Sequence, residues 1–305
     1  MDITSVITYL KELFATFLIF LTMLSPAFGN SGATYEAENP DELIASFVVL
    51  SDIHVETDQP EAYSYLYKVF QGVKAGKNID AVVYTGDNVM NGQITENVFF
   101  YSALKAAKPA KNNFVITGNH DLGNGAGNYE NSSKDFIANN NFYLGNKIDK
   151  LYYYRVVNGC YMIFMASEDV NASDFVMSRE QFNWLEGVLK EAQEAGAPIF
   201  VFNHFPIRYL DDNGTEVYRD ELAALFVKYG VDLFVHGHIH DDLGADNFYT
   251  WGGVSCINLP RITEITEYEA GDGIVVEVYE NEFVVKGRDF IKGEWIEGLE
   301  YRYAF

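Results

Sequence analysis

The sequence predicts an α/β sandwich, and three observations carry that expectation. Five short apolar runs, rich in β-branched and aromatic residues, alternate with longer helix-like segments. All six histidines fall in or beside the stretches just beyond those runs. The composition is globular: of 305 residues, 48% are hydrophobic and 21% charged, enough apolar material for a sizeable core and too much for a disordered chain.

Near the start of the sequence, Leu13 to Phe28 (LFATFLIFLTMLSPAF) is an uncharged stretch short for a bilayer span and about right for the core of an export signal. Ala27-Phe28-Gly29 places small residues at the cleavage-determining positions. Residues 1–29 are therefore expected to be a signal peptide. Residues 30–305 would form a single domain, exported to the medium, the periplasm or the cell surface. No stable membrane span is expected once the signal is cleaved; an uncleaved anchor and a structural helix are the other readings of the stretch. Export permits a disulfide between Cys160 and Cys256, the only cysteines, although two buried thiols are the simpler expectation.

The buried-strand candidates are Phe47–Leu50, Ala81–Tyr84, Phe114–Ile116, Ile199–Phe202 and Val231–Val235. Helices are expected over Glu61–Ala75, Thr95–Ala107, Ser178–Glu194 and Thr215–Tyr229, with Ser178 and Gln181 spaced as a capping box. Asn158-Gly159 and Glu280-Asn281-Glu282 each separate a pair of apolar runs, as in hairpins, and both hairpins are expected to complete a second sheet. Leu122–Asn146, rich in Gly and Asn, reads as a long excursion with one short helix near Ser132–Ala138.

Charge narrows the function. Lys and Arg number 21 against 44 Asp and Glu, a formal net charge of −23. Phosphate backbones demand a basic face, so nucleic acid is unlikely as the main partner. A single phosphate group held through metal cations is not excluded, because the ions bring their own charge.

The chemistry lies in the short blocks at the strand ends. Asp52-Ile53-His54 comes after the first strand, Gly86-Asp87-Asn88 after the second and Gly118-Asn119-His120-Asp121 after the third. His204 comes after the fourth and Gly237-His238-Ile239-His240 after the fifth. Ligands in α/β folds collect beyond the carboxyl ends of strands, so the five blocks should converge on one edge. Imidazoles, carboxylates and a carboxamide gathered there call for divalent metal. Seven ligands exceed the needs of one tetrahedral ion, whereas two ions sharing a carboxylate fit the number and suit displacement at phosphorus. Asn119 donates a neutral oxygen, which limits negative charge around a site that must accept an anion.

In these ordered blocks the chain resembles the calcineurin-like metallophosphoesterases over roughly residues 47–240, with 241–305 as closing strands. The resemblance implies a four-layer α/β/β/α sandwich of two mixed sheets flanked by helices. It assigns Asp52, His54 and His240 to one metal and Asn119, His204 and His238 to the other, with Asp87 bridging. It makes His120 the catalytic histidine that protonates the leaving group, and a metal-bridged hydroxide the nucleophile. Asp121 would orient His120, or serve as a turn or cap residue; His236 is expected to be buried rather than a ligand.

Met90 stands where purple acid phosphatases place a ligand tyrosine, and Gly86–Met90 lacks the second Asp and the Arg of phosphoprotein phosphatases. There remains a bacterial-type hydrolase of small phosphate esters, phosphodiester or phosphomonoester. A non-catalytic metal-binding scaffold and a nuclease of the same superfamily are the alternatives. The metal ions would be two divalent cations among Mn, Fe, Zn and Co. Arg208, four residues after His204, could reach a phosphate oxygen through its fork, or pair with Asp211 or Asp212 at the surface.

Overall fold

The computed structural model describes residues 33–56, 60–170, 175–207, 219–262 and 271–305; the expected signal peptide at 1–29 and Arg208 lie outside the described residues. The strands are β1 (Ala45–Leu50), β2 (Ala81–Tyr84), β3 (Asn112–Val115), β4 (Tyr153–Val157), β5 (Cys160–Phe164) and β6 (Ile199–Phe202), followed by β7 (Leu233–His236), β8 (Phe248–Trp251), β9 (Val254–Asn258), β10 (Asp272–Val278), β11 (Glu282–Asp289) and β12 (Glu294–Ala304). The α-helices are α1 (Pro60–Lys74), α2 (Ile94–Ala107), α3 (Tyr129–Asn139), α4 (Arg179–Glu194) and α5 (Arg219–Tyr229).

Two six-stranded sheets form, in the orders β12-β11-β10-β1-β2-β3 and β4-β5-β6-β7-β9-β8. Both are mixed. β1, β2 and β3 run parallel, as do β5, β6, β7 and β9, while β10, β11 and β12 in the first sheet and β4 and β8 in the second pair antiparallel. The central strands β1, β2, β6 and β7 are buried along their whole length, which explains their unbroken apolar runs. One face of each sheet meets the other sheet: Phe47 lies edge-on to Phe200 and Phe202 at 5.1 and 6.0 Å, and Phe114 meets Phe164 at 5.1 Å. The opposite faces carry helices. Phe70 of α1 and Phe100 of α2 pack on Tyr84 of β2, while Leu185 and Leu189 of α4 and Phe226 of α5 cover Ile163, Val201 and Phe234. The four layers are those the resemblance implied. Among the described residues no helix is long and apolar enough to cross a membrane.

Several local expectations are altered. The two hairpins do not share a sheet: β4–β5 joins the second sheet through β5 and β6, while β10–β11 joins the first through β10 and β1. Alternating hydrophobicity marks a hairpin but not its neighbour, which is chosen by packing such as Phe283 of β11 against Phe200 at 5.5 Å. Ser178 caps α4 by accepting from the Gln181 N–H at 3.1 Å, but Gln181 does not close the box. Its buried carboxamide instead exchanges two hydrogen bonds with the Ala166 backbone, tying the helix start to the end of β5. The helix expected near Ser132–Ala138 spans Tyr129–Asn139 and runs into a π-helical turn, Asn140–Leu144. Cys160 and Cys256 are free and buried, on strands separated by β6 and β7. Tyr153 donates to Val115 O at 2.9 Å and Tyr152 packs on Trp184, so these tyrosines hold the sheet edge.

Asp232 sets β7 beside β6. Its backbone N–H donates to Ile199 O at 3.0 Å, and its carboxylate accepts from Ile199 N–H at 2.7 Å. Burial pushes its pKa up to about 6, against the pull of that N–H. The folded protein thus holds the proton more tightly than the unfolded chain. The resulting stabilisation is full below the unfolded value near 4 and is lost as pH rises through about 6. Asp232→Asn should therefore be more stable than wild type at pH 8, by an amount on the order of 1–3 kcal/mol, and come close to matching it at pH 4. Paired thermal melts at the two pH values check this; an equal difference at both would remove the titration from the account.

Candidate metal centre

The five motif blocks leave five different strands and converge where the carboxyl ends of the two sheets face each other. β1, β2 and β3 bring Asp52, His54, Asp87, Asn119 and His120; β6 and β7 bring His204, His238 and His240. The first two blocks travel together beyond their strands, with Asp52 N donating to Gly86 O, His54 N to Asp87 O and Val55 N to Asn88 O at 2.9–3.1 Å. Asp52, His54, Asp87, His238 and His240 all have left-handed backbones, with φ between 50 and 75°. That conformation is uncommon outside glycine and costs about 1–3 kcal/mol per residue, so it persists only where surrounding structure holds it.

The motif glycines have a steric cause. A Cβ on Gly118 would sit 2.1 Å from an Asp87 carboxylate oxygen, and one on Gly237 would sit 2.2 Å from Asp52 Oδ2. The backbone approaches the acids too closely for any side chain.

Two groups of ligand atoms result. Asp52, His54, Asp87 and His240 each offer one atom within 4.8 Å of the others, and so do Asp87, His204 and His238. Asp87 belongs to both: its Oδ2 lies 3.6 Å from His54 Nε2 and 3.2 Å from His204 Nε2. Asn119 Oδ1 joins the second group at 3.1 Å from His204 Nε2, turned there by its amide, which donates to Asn124 Oδ1 at 3.1 Å. Asp52 and Asp87 are 0% and 1% exposed.

The donors fit a divalent cation. His54 Nε2 and His240 Nε2 face each other at 3.2 Å, where at most one proton fits between two lone pairs. His204 Nδ1 lies 3.1 Å from Thr85 O, so it carries the ring proton and leaves Nε2 free toward the carboxylates. That is how a ligating imidazole is usually fixed. Burial disfavours charge on His204, but Asp87, Asp52 and Asp121 outweigh it and lift its pKa to about 9. Burial likewise opposes ionisation of Asp52, yet His204, His240 and His54 hold it well below the usual carboxylate range. The site is thus an anionic cage that favours positive charge at its centre.

His120 stands at the mouth, half-buried and edge-on to His54 at 4.6 Å. Its backbone N–H donates to Asp87 Oδ1 at 2.8 Å, and its Nδ1 lies 2.5 Å from Met90 O. A carbonyl only accepts, so the proton is on Nδ1, and Nε2 is the atom left to take or give one. Asp121 does not orient this ring. It is buried and accepts from the backbone N–H groups of Gly118, Asn88 and Val89 and from the Asn88 amide, bracing two motif loops together. Burial and the nearby Asp87 charge push it up to about 7. The expectation that it directs His120 is corrected for a plain reason: the Met90 carbonyl already occupies that position. His236 is buried, with Nδ1 on Gly237 O and Nε2 on Tyr249 OH, away from the cage.

Sequence reasoning missed the supporting groups. Ser51 donates to Asp52 Oδ2, and Thr85 and Met90 act through backbone carbonyls, which carry no residue signature. Asn124 is visible in the sequence only as one residue of a Gly-Asn-rich loop. The segment after β9 returns to the site: Leu259 N donates to His236 O at 2.7 Å and Ile262 N to Asp52 O at 3.2 Å.

Comparison with known proteins agrees with this architecture. Residues 45–242 match a family model described as calcineurin-like phosphoesterase. Similar solved structures include a dimetal phosphatase from Danio rerio, at 14% identity over 86% of this chain and 99% of that one, with a TM-score of 0.58. Another is GAP50, described as the anchor in the inner membrane complex of Plasmodium, at 17% identity over 85% and 88% of the two chains, with a TM-score of 0.54. At such identities the likeness is one of fold. No curated protein matches the chain in sequence.

Proposed function

The chain belongs to the calcineurin-like phosphoesterase family, and on that premise we propose that it hydrolyses small phosphate esters with two divalent cations. The observation that carries the proposal is Asp87, a buried carboxylate common to two ligand groups and tied through Oδ1 to the backbone of a histidine at the mouth. Asp52, His54 and His240 would hold one ion and Asn119, His204 and His238 the other, with Asp87 between. Ions bound there would neutralise phosphoryl oxygens and acidify a water molecule. His120 Nε2 would deliver the proton to the departing oxygen, steadied by the Nδ1–Met90 bond. The ions fit the Mn, Fe, Zn and Co range of this mixed nitrogen and oxygen set. The acidic chain supports a small substrate over a nucleic acid, and the apolar leader supports an exported enzyme.

The test compares a nitrophenyl monoester with the matching bis-nitrophenyl diester, using full-length protein with Mn²⁺ and with chelator. Chelator-sensitive turnover that Mn²⁺ restores is expected, and the faster substrate assigns phosphatase or phosphodiesterase. No turnover of either ester by protein shown to contain metal would overturn hydrolysis in favour of a metal-binding scaffold.

A further inference from the structure

Among the described residues, a cation stands beside the centre without a counter-charge. Arg261 lies between the two backbone bonds that staple the segment after β9 across the ends of β1 and β7, next to the residue bonded to Asp52 O. It is half-buried, its Nε is shut off from solvent, and that N–H has no hydrogen-bond partner. It forms no ion pair among the described residues. Arginines withdrawn from water are normally paired, and this chain has 44 carboxylate side chains to offer against 21 cations. The guanidinium is close enough to act on His54. Burial is the main influence lowering that imidazole's pKa, and the Arg261 charge adds to it against the lift from Asp52 and Asp87.

We propose that Arg261 is a substrate-binding residue whose guanidinium receives a non-bridging oxygen of the phosphate ester at the metal centre. The inference rests on the phosphoesterase reading. A guanidinium is always charged and presents its donors in a fixed fork that matches a phosphoryl group. An oxygen received by the Nη groups, which are not shut off from solvent with Nε, would supply the counter-charge that the described residues do not. A guanidinium left without an ion pair among the described residues then has a purpose: a carboxylate bound there would have to be displaced by each substrate molecule. Arg261 gives up no proton, so its contribution is to binding, distinct from that of His120.

The test uses the full chain loaded with Mn²⁺. Inorganic phosphate is titrated calorimetrically into wild type, Arg261→Met and Arg261→Lys, with metal content and melting temperature measured on the same samples. Arg261→Met should weaken phosphate by about tenfold or more, and Lys should recover some of the loss. Metal content and melting should stay at the wild-type level, and KM for an ester should rise more than kcat falls. Unchanged phosphate affinity with metal intact overturns the proposal. So does weakened affinity accompanied by loss of metal, which would make Arg261 a support for the ligands. If wild type hydrolyses no ester yet its phosphate affinity depends on Arg261, the hydrolase reading falls and this site stands.

Discussion

Asp87→Asn should cut both metal content and hydrolysis of a nitrophenyl ester by about 100-fold or more. The residue is common to both ligand groups, so its charge is lost from each at once. Asn keeps an oxygen that can accept from the His120 backbone N–H, so the loop between β3 and α3 should hold its course. The change also removes the largest influence raising the His204 pKa, leaving Asp52 and Asp121 alone to oppose burial. Metal analysis after gel filtration, with circular dichroism as the folding control, checks the prediction. Retention of the full metal complement would mean that Asp87 does not bridge, and the two groups would have to be treated as separate sites.

His120→Ala should behave in the opposite sense, with metal retained and turnover lost. A fall of about 10²–10⁴ is expected for an alkyl phosphate ester, the range for removing a general acid. For a nitrophenyl ester the fall should be much smaller, because that leaving group departs readily without a proton. The bond to Asp87 comes from the His120 backbone, so alanine preserves it. An equal loss on both esters would move His120 from proton donor to electrostatic support, and metal loss would make it a member of the cage.

The motif blocks are legible in the sequence because each couples a strand signal to residues whose chemistry has few other uses. Leu50-Ser51-Asp52-Ile53-His54 shows the pattern: an apolar run ends, and a carboxylate and an imidazole come next on alternate positions. Asp121 misleads for the same reason. Its place beside His120 suggests a shared task, yet neighbouring residues at a tight turn face apart, and Asp121 turns inward to gather backbone N–H groups. The capping pair Ser178 and Gln181 is half right, because Gln181 has a competing pair of backbone partners at Ala166 that no local rule contains.

The sequence by itself determined the layered α/β architecture, the metal-binding character of the strand ends and seven of the residues gathered there. Those features are written locally, in apolar runs, glycine spacing and side-chain type. Only the tertiary structure decided how the hairpins divide between the sheets, which ligand atoms form each group, which carbonyl directs His120, and that Arg261 stands beside the cage with its Nε–H unsatisfied. These depend on contacts between residues tens to hundreds of positions apart. Such contacts are selected by packing of the two sheets, as where Phe47 meets Phe200 and Phe202, and by left-handed backbones at the ligands that the surrounding fold must hold in place.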